Sequence, residues 1–170
     1  MTQVPDNAKQ TIRLHAGHVA IEGRRSLVGE LRPYSGILES DFRDLFTSLV
    51  SLHGSLGSDE LDRELIYACW DLCTRVRFLT PTLAANQLVD EQQQQRLSAW
   101  VNCVDSYCRR CFHQLGLVEC MSNFFEYLGS DLCSSPETYR NLLPILNDLR
   151  SDADFEMLSL LDAAISAVDP

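Results

Sequence analysis

Residues 58–79, SDELDRELIYACWDLCTRVRFL, carry the strongest pattern in the chain and decide its fold class. Leu61, Leu65, Cys69, Leu72, Val76 and Leu79 follow one another at steps of four and three, the spacing that aligns side chains on one face of an α-helix. Ile66, Trp70 and Cys73 form a second apolar row beside the first, so several neighbours are expected to bury this helix. Ser58 is placed to be the N-cap, and Asp59, Glu60 and Asp62 put negative charge at the positive end of the helix dipole. Arg75 and Arg77 suit the other end, and Thr80-Pro81 is expected to stop the helix, because proline disfavours a helical residue before it.

Working outward, residues 40–52 place Phe42, Leu45, Phe46, Leu49 and Val50 on one helical face, closed by His53-Gly54 and Gly57. This helix and the central one are expected to form an antiparallel hairpin. Residues 80–90 read as a connector. Asp90 then caps a long helix reaching about residue 116, with Gln93 placed for a capping box and Leu97, Val101, Val104, Cys108, Cys111 and Leu115 as its stripe. Residues 118–128 add a further apolar helix. Ser135-Pro136 is a start signal, Pro144 breaks or kinks that segment near Leu143, and Ser151 is expected to cap a last helix striped by Phe155, Leu158, Leu161, Ile165 and Val168. Trp70-x-x-Cys73 and Trp100-x-x-Cys103 echo each other 30 residues apart, too little to establish a repeat.

Towards the N-terminus the signal fades. Residues 1–10 are polar and read as a flexible tail. Over residues 11–31, Leu14, Ile21 and Val28 repeat at seven, but Gly17, Gly23 and Gly29 each lower helix propensity by about 1 kcal/mol. We expect helix there, with a short hairpin as the alternative. The whole chain is therefore expected to be all-α, a compact bundle of six or seven helices or a set of stacked helical hairpins, with one helical domain over residues 11–170.

At 170 residues the chain can bury a core without staples. It has no apolar run of the 18 or more residues that a membrane helix needs, and its first residues are polar, so a cytoplasmic location and no membrane association are expected. Seven cysteines, an odd number, argue against a disulfide framework. The net charge of −10 is uneven: residues 1–32 carry about +2 and residues 115–170 about −8. Such a chain is repelled by nucleic acid and anionic lipid, so the expected partner is a protein, and a basic one. Its single lysine, Lys9, excludes a Walker A loop and nearly excludes a buried Schiff-base lysine.

No catalytic set emerges. Di-iron, diphosphate-binding, nucleophile-elbow and dinucleotide motifs are all missing, and no cofactor is expected. Cys103, Cys108 and Cys111, with His113 beyond, have the spacing of three ligands of an iron–sulfur site, but they fall in a helical pattern where cysteine packs as a small apolar residue. These four residues are the alternative reading, a metal- or redox-linked centre. His15 and His18 with Glu22 could share a metal only if a helix continued through them. The preferred expectation is a non-enzymatic protein-binding protein, in concrete form an acidic immunity- or antitoxin-type antidote that masks a basic partner. Its binding surfaces would be Asp59, Glu60, Asp62 and Glu64, and Asp148, Asp152, Asp154 and Glu156. Trp100, Phe112, Phe124 and Phe125 are either core or part of a dimer face.

Overall fold

The computed structural model describes residues 3–56, 58 and 62–170, the side chains of residues 3–5 excepted. Among these residues the helices are α1 (Gln3–His15), α2 (Glu39–Ser51), α3 (His53–Leu56), α4 (Arg63–Ala85), α5 (Glu91–Phe112), α6 (Leu117–Cys120), α7 (Ser122–Leu128), α8 (Leu143–Asp148) and α9 (Phe155–Val168). Two 3-10 turns, Pro136–Leu142 and Leu149–Ser151, flank α8. The fold is all-α: the one strand-like pairing among the described residues is an isolated bridge between Leu31 and Tyr34. No described helix is long and apolar enough to cross a membrane.

The central helix, α4, starts later and ends later than its sequence pattern suggests. Asp62 is its N-cap, accepting the Glu64 and Leu65 amides at 3.1 Å each. The Lys9 ammonium, 2.7 Å from the Asp62 carboxylate, fixes that cap and helps hold the carboxyl below its ordinary range. Ser58 instead closes the preceding turn by donating to the Ser55 carbonyl. Asp59, Glu60 and Leu61 lie outside the described residues. At the other end the helix runs through Pro81. The proline is exposed, so water can reach the Arg77 carbonyl that loses its helical donor, and buried Leu83 holds the extra turn against the core.

Three helices end in the same way, and only one of them has the expected glycine. After α1, Gly17 takes a positive φ, its amide bonds the Leu14 carbonyl and the His18 amide reaches back to Arg13. Gln87 after α4 and Gln114 after α5 adopt the same left-handed conformation, with matching bonds from Leu88 to Leu83 and from Leu115 to Arg110. The Asp90–Gln93 capping box at the start of α5 is present in both directions. The apolar segment at residues 118–128 breaks at Met121 into α6 and α7, and Asp154 rather than Ser151 caps α9.

The largest departure is N-terminal. The expected tail is helical from Gln3, and Ala8, Thr11, Ile12, Leu14 and His15 of this helix are buried, two of them polar residues that weaken the apolar pattern in the sequence. The helix stops at His15, so the expected helix over residues 11–31 is replaced by an irregular segment whose Leu27, Val28 and Leu31 plug the core. α1 packs against α2 and α4, while α4 and α5 form the long antiparallel pair; α2 is not the main partner of α4. α9 covers α7 and the first 3-10 turn.

At the centre an aromatic column joins these layers. Phe42 stacks on Trp100 at 5.0 Å and Phe46 on Phe124 at 4.0 Å, with Tyr127, Tyr139 and Tyr107 edge-on around them. At its end sits the buried carboxylate of Glu39. It accepts the hydroxyls of Tyr127 and Tyr139, each at 2.5 Å, and the Ser134 hydroxyl at 3.3 Å. Burial first, and the adjacent carboxylate second, push both phenols well above their usual range. Glu39→Ala would leave both buried phenols without an acceptor and should cost about 3 kcal/mol or more. Glu39→Gln should cost less; denaturant unfolding of the two variants checks the order.

His15 supplies a second expectation. Its Nδ1 accepts the Leu27 amide at 3.3 Å and its Nε2 has no partner among the described residues. Burial lowers its pKa from 6.5 to about 4, against the opposing pull of Asp44. The unfolded chain therefore takes up this proton first as pH falls. Stability is intact above pH 6.5 and about 3 kcal/mol of it should be lost between 6.5 and 4. His15→Asn, which keeps an acceptor for Leu27, should flatten that part of the stability profile measured by denaturant titration.

Candidate functional site

The expected cysteine centre does not assemble, for a geometric reason. Positions 103 and 108 on one helix point about 140° apart. Cys103 faces α7 and donates to the Asn123 carbonyl at 3.5 Å. Cys108 turns to α4 and shares a hydrogen bond with Cys69. His113 is the exposed C-cap of α5. Of the four, Cys111 alone belongs to a group of three potential metal ligands among the described residues, and its neighbours there are His53 of α3 and Cys120 of α6. The three ligand atoms lie within 4.8 Å of one another, the one such His/Cys/acid group among the described residues. Nothing in the spacing of residues 53, 111 and 120 reveals this; only the packing of α3 and α6 on the end of α5 creates it.

Within the cluster, His53 Nδ1 is 3.4 Å from Cys111 Sγ, and Cys111 Sγ is 3.7 Å from Cys120 Sγ. The Tyr107 hydroxyl sits 3.4 Å from the same imidazole nitrogen and hydrogen-bonds Cys111. Cys111 and Cys120 are buried and His53 is at the edge. Desolvation raises both thiols and lowers the imidazole. All three groups are therefore neutral at pH 7.

A second feature lies along the α4–α5 pair. An apolar groove of about 240 Å³ is walled by Trp70 and Ile66 on α4 and Phe112 on α5, with Cys69, Cys73 and Cys108 at its floor. The second apolar row of α4 was expected to be covered. Cys73 is buried and Ile66 half-buried, but Trp70 is 61% exposed, and with Tyr67 (53%) and Phe78 (74%) it adds a row of solvent-facing aromatics along α4. Trp100, Phe124 and Phe125 are core, whereas Phe112 is 41% exposed at the groove. The rim holds Arg77 and Arg109, which share the single carboxylate of Asp105 at 3.0 and 2.5 Å.

Stacking and ion pairs pin the upper end of the stripe. His18, freed by the end of α1 from any shared site with His15, places Nε2 2.8 Å from Asp71 and stacks on Tyr67 at 5.1 Å. Burial opposes the charge on Asp71, but the bonds from His18 and Arg75 prevail and hold its carboxyl below the usual range.

The acidic surfaces divide. Asp62 is a helix cap paired with Lys9, and Glu64 is 3.2 Å from Arg13, so the described half of the first face is engaged within the chain. Asp154 caps α9. Asp148, Asp152 and Glu156 are exposed, as is Phe155 at 92%. The nearby Arg150 is occupied by Asp162. No family model, curated protein or solved structure matches the chain.

Every cysteine is a free, buried thiol, and burial raises those at 73, 103, 111, 120 and 133. Thiolate should be scarce in the folded protein. A disulfide reagent at neutral pH should titrate all seven only after denaturant unfolds the chain. A native thiol that reacts as fast as free cysteine would contradict this burial.

Proposed function

We propose that the protein acts by binding another protein through the aromatic stripe of α4 and the α4–α5 groove. One observation carries this reading: beside its buried face, α4 presents three large aromatic side chains that the described residues leave more than half exposed. Leu65, Cys69, Leu72 and Val76 are buried, while Tyr67, Trp70 and Phe78 stand in solvent on the other side. Exposed aromatics on one helix beside arginine are the composition of interface hot spots. Two exposed guanidiniums around one carboxylate leave a local excess of positive charge. The groove therefore suits an apolar segment flanked by acids.

The masking of a basic partner is a second reading, favoured by the corner of α8 and α9. There exposed Phe155 is flanked in the chain by exposed Asp152 and Glu156, an apolar side chain in an acidic segment. That surface suits a partner of opposite charge, of the kind an immunity protein or antitoxin covers.

Affinity capture from host extract with three baits separates the readings: the wild type, Trp70→Ala/Phe78→Ser, and Asp152→Lys/Glu156→Lys. The substituted positions are exposed, so each bait should unfold at the wild-type temperature. A stoichiometric partner of the wild type should bind the α4 variant about 30-fold or more weakly, the loss of one hot spot. Loss only on acid reversal selects the second reading. A partner indifferent to both variants removes both.

A further inference from the structure

The His53, Cys111 and Cys120 cluster lies apart from the aromatic stripe, and protein binding gives it no role. We propose that His53 Nδ1, Cys111 Sγ and Cys120 Sγ are three ligands of a zinc site whose fourth position is open to solvent or an exogenous ligand. Zinc binds thiolate at about 2.3 Å and imidazole at about 2.0–2.1 Å, so tetrahedral angles place two sulfurs about 3.8 Å apart and sulfur and nitrogen about 3.6 Å apart. The cluster has 3.7 Å between its sulfurs and 3.4 Å between Cys111 Sγ and His53 Nδ1. The third pair, His53 Nδ1 and Cys120 Sγ, lies within 4.8 Å, a gap that side-chain rotation would close around an ion.

The chemistry of the donors points the same way. Two soft sulfurs and an imidazole select a borderline-soft ion over calcium or magnesium, which want oxygen. Two thiolates cancel the charge of a divalent ion, so the loaded site adds no net charge to a buried region. Tyr107 is buried, and its hydroxyl bonds Cys111, where it would donate to the thiolate as outer-shell partners do. His53 is the one partly exposed ligand and marks the entry side.

Zinc binds the thiolate form, so the metal–sulfur bonds replace S–H bonds, the displaced protons pass to solvent, and affinity should rise with pH.

The test uses reduced, chelator-treated full-length protein and cobalt(II) as the spectroscopic stand-in for zinc. One equivalent should produce thiolate-to-cobalt charge-transfer bands and the intense visible bands of a tetrahedral site, and zinc should abolish both. Cobalt affinity should rise with pH across neutrality. Cys111→Ser and Cys120→Ser should lose the charge-transfer bands, and Cys103→Ser, whose thiol faces α7, should keep them. His53→Gln removes a ligand at the edge of the core and should weaken cobalt at least tenfold in a normally folded protein, which keeps the test decisive if a serine variant does not fold. Unaltered affinity in His53→Gln, bands that survive Cys111→Ser, or reduced protein that takes up no metal and forms a Cys111–Cys120 disulfide in air would each overturn the site. The aromatic stripe of α4 is untouched by these variants, so the fate of the protein-binding reading is independent.

Discussion

One buried carboxylate closes this fold. Glu39 is the first residue of α2, where the helix dipole favours negative charge, yet it is shut away from water. A charge there persists only if it is hydrogen-bonded, and its donors come from 88 to 100 residues further along the chain: Tyr127, Cys133, Ser134 and Tyr139. α7, the loop after it and the first 3-10 turn are thereby fixed to the start of α2. The aromatic column rests on that junction, and α9 packs behind it. An apolar contact would tolerate sliding, whereas a carboxylate with two phenols at 2.5 Å permits one register.

What the sequence reveals follows from the range of each interaction. The face of α2, the capping box of α5 and the stripe through Leu97, Val101, Val104 and Cys111 are local, and all are legible in residue spacing. Helix ends are legible only when one cap candidate stands alone. Ser58 and Asp62 compete for the start of α4, and a lysine 53 residues away decides between them. α1 is hidden for a different reason: its buried face includes Thr11 and His15, and Lys9 and Arg13 beside it pair with Asp62 and Glu64 far along the chain. Periodicity identifies an apolar face without saying what covers it, so Trp70 and Trp100 look alike in sequence and end on opposite sides of the surface. The His53, Cys111 and Cys120 cluster depends on three elements meeting, which no spacing rule encodes.

The same distinction revises the meaning of the charges. A run of acids at a helix start looks like a docking face, but a cap carboxylate is already spent on backbone amides. Asp62 and Asp154 are of that kind. What is left to meet a partner is smaller than the formal net charge of −10 implies, and it is spatially sorted. Arg77 and Arg109 stand at the groove, while exposed Asp152 and Glu156 flank Phe155 along the chain.

The placement of the two indoles has a practical consequence. Trp100 is sealed in the core, stacked on Phe42 and donating its Nε1–H to the Tyr127 hydroxyl at 2.7 Å. Trp70 stands in water with Tyr67 beside it. The chain thus contains two intrinsic fluorophores in opposite solvents. Red-edge emission belongs to the α4 surface, and blue emission to the column above Glu39. Anything that seats on the stripe moves the first without the second, while loosening of the core moves the second without the first. The protein carries its own optical means of telling occupancy from unfolding.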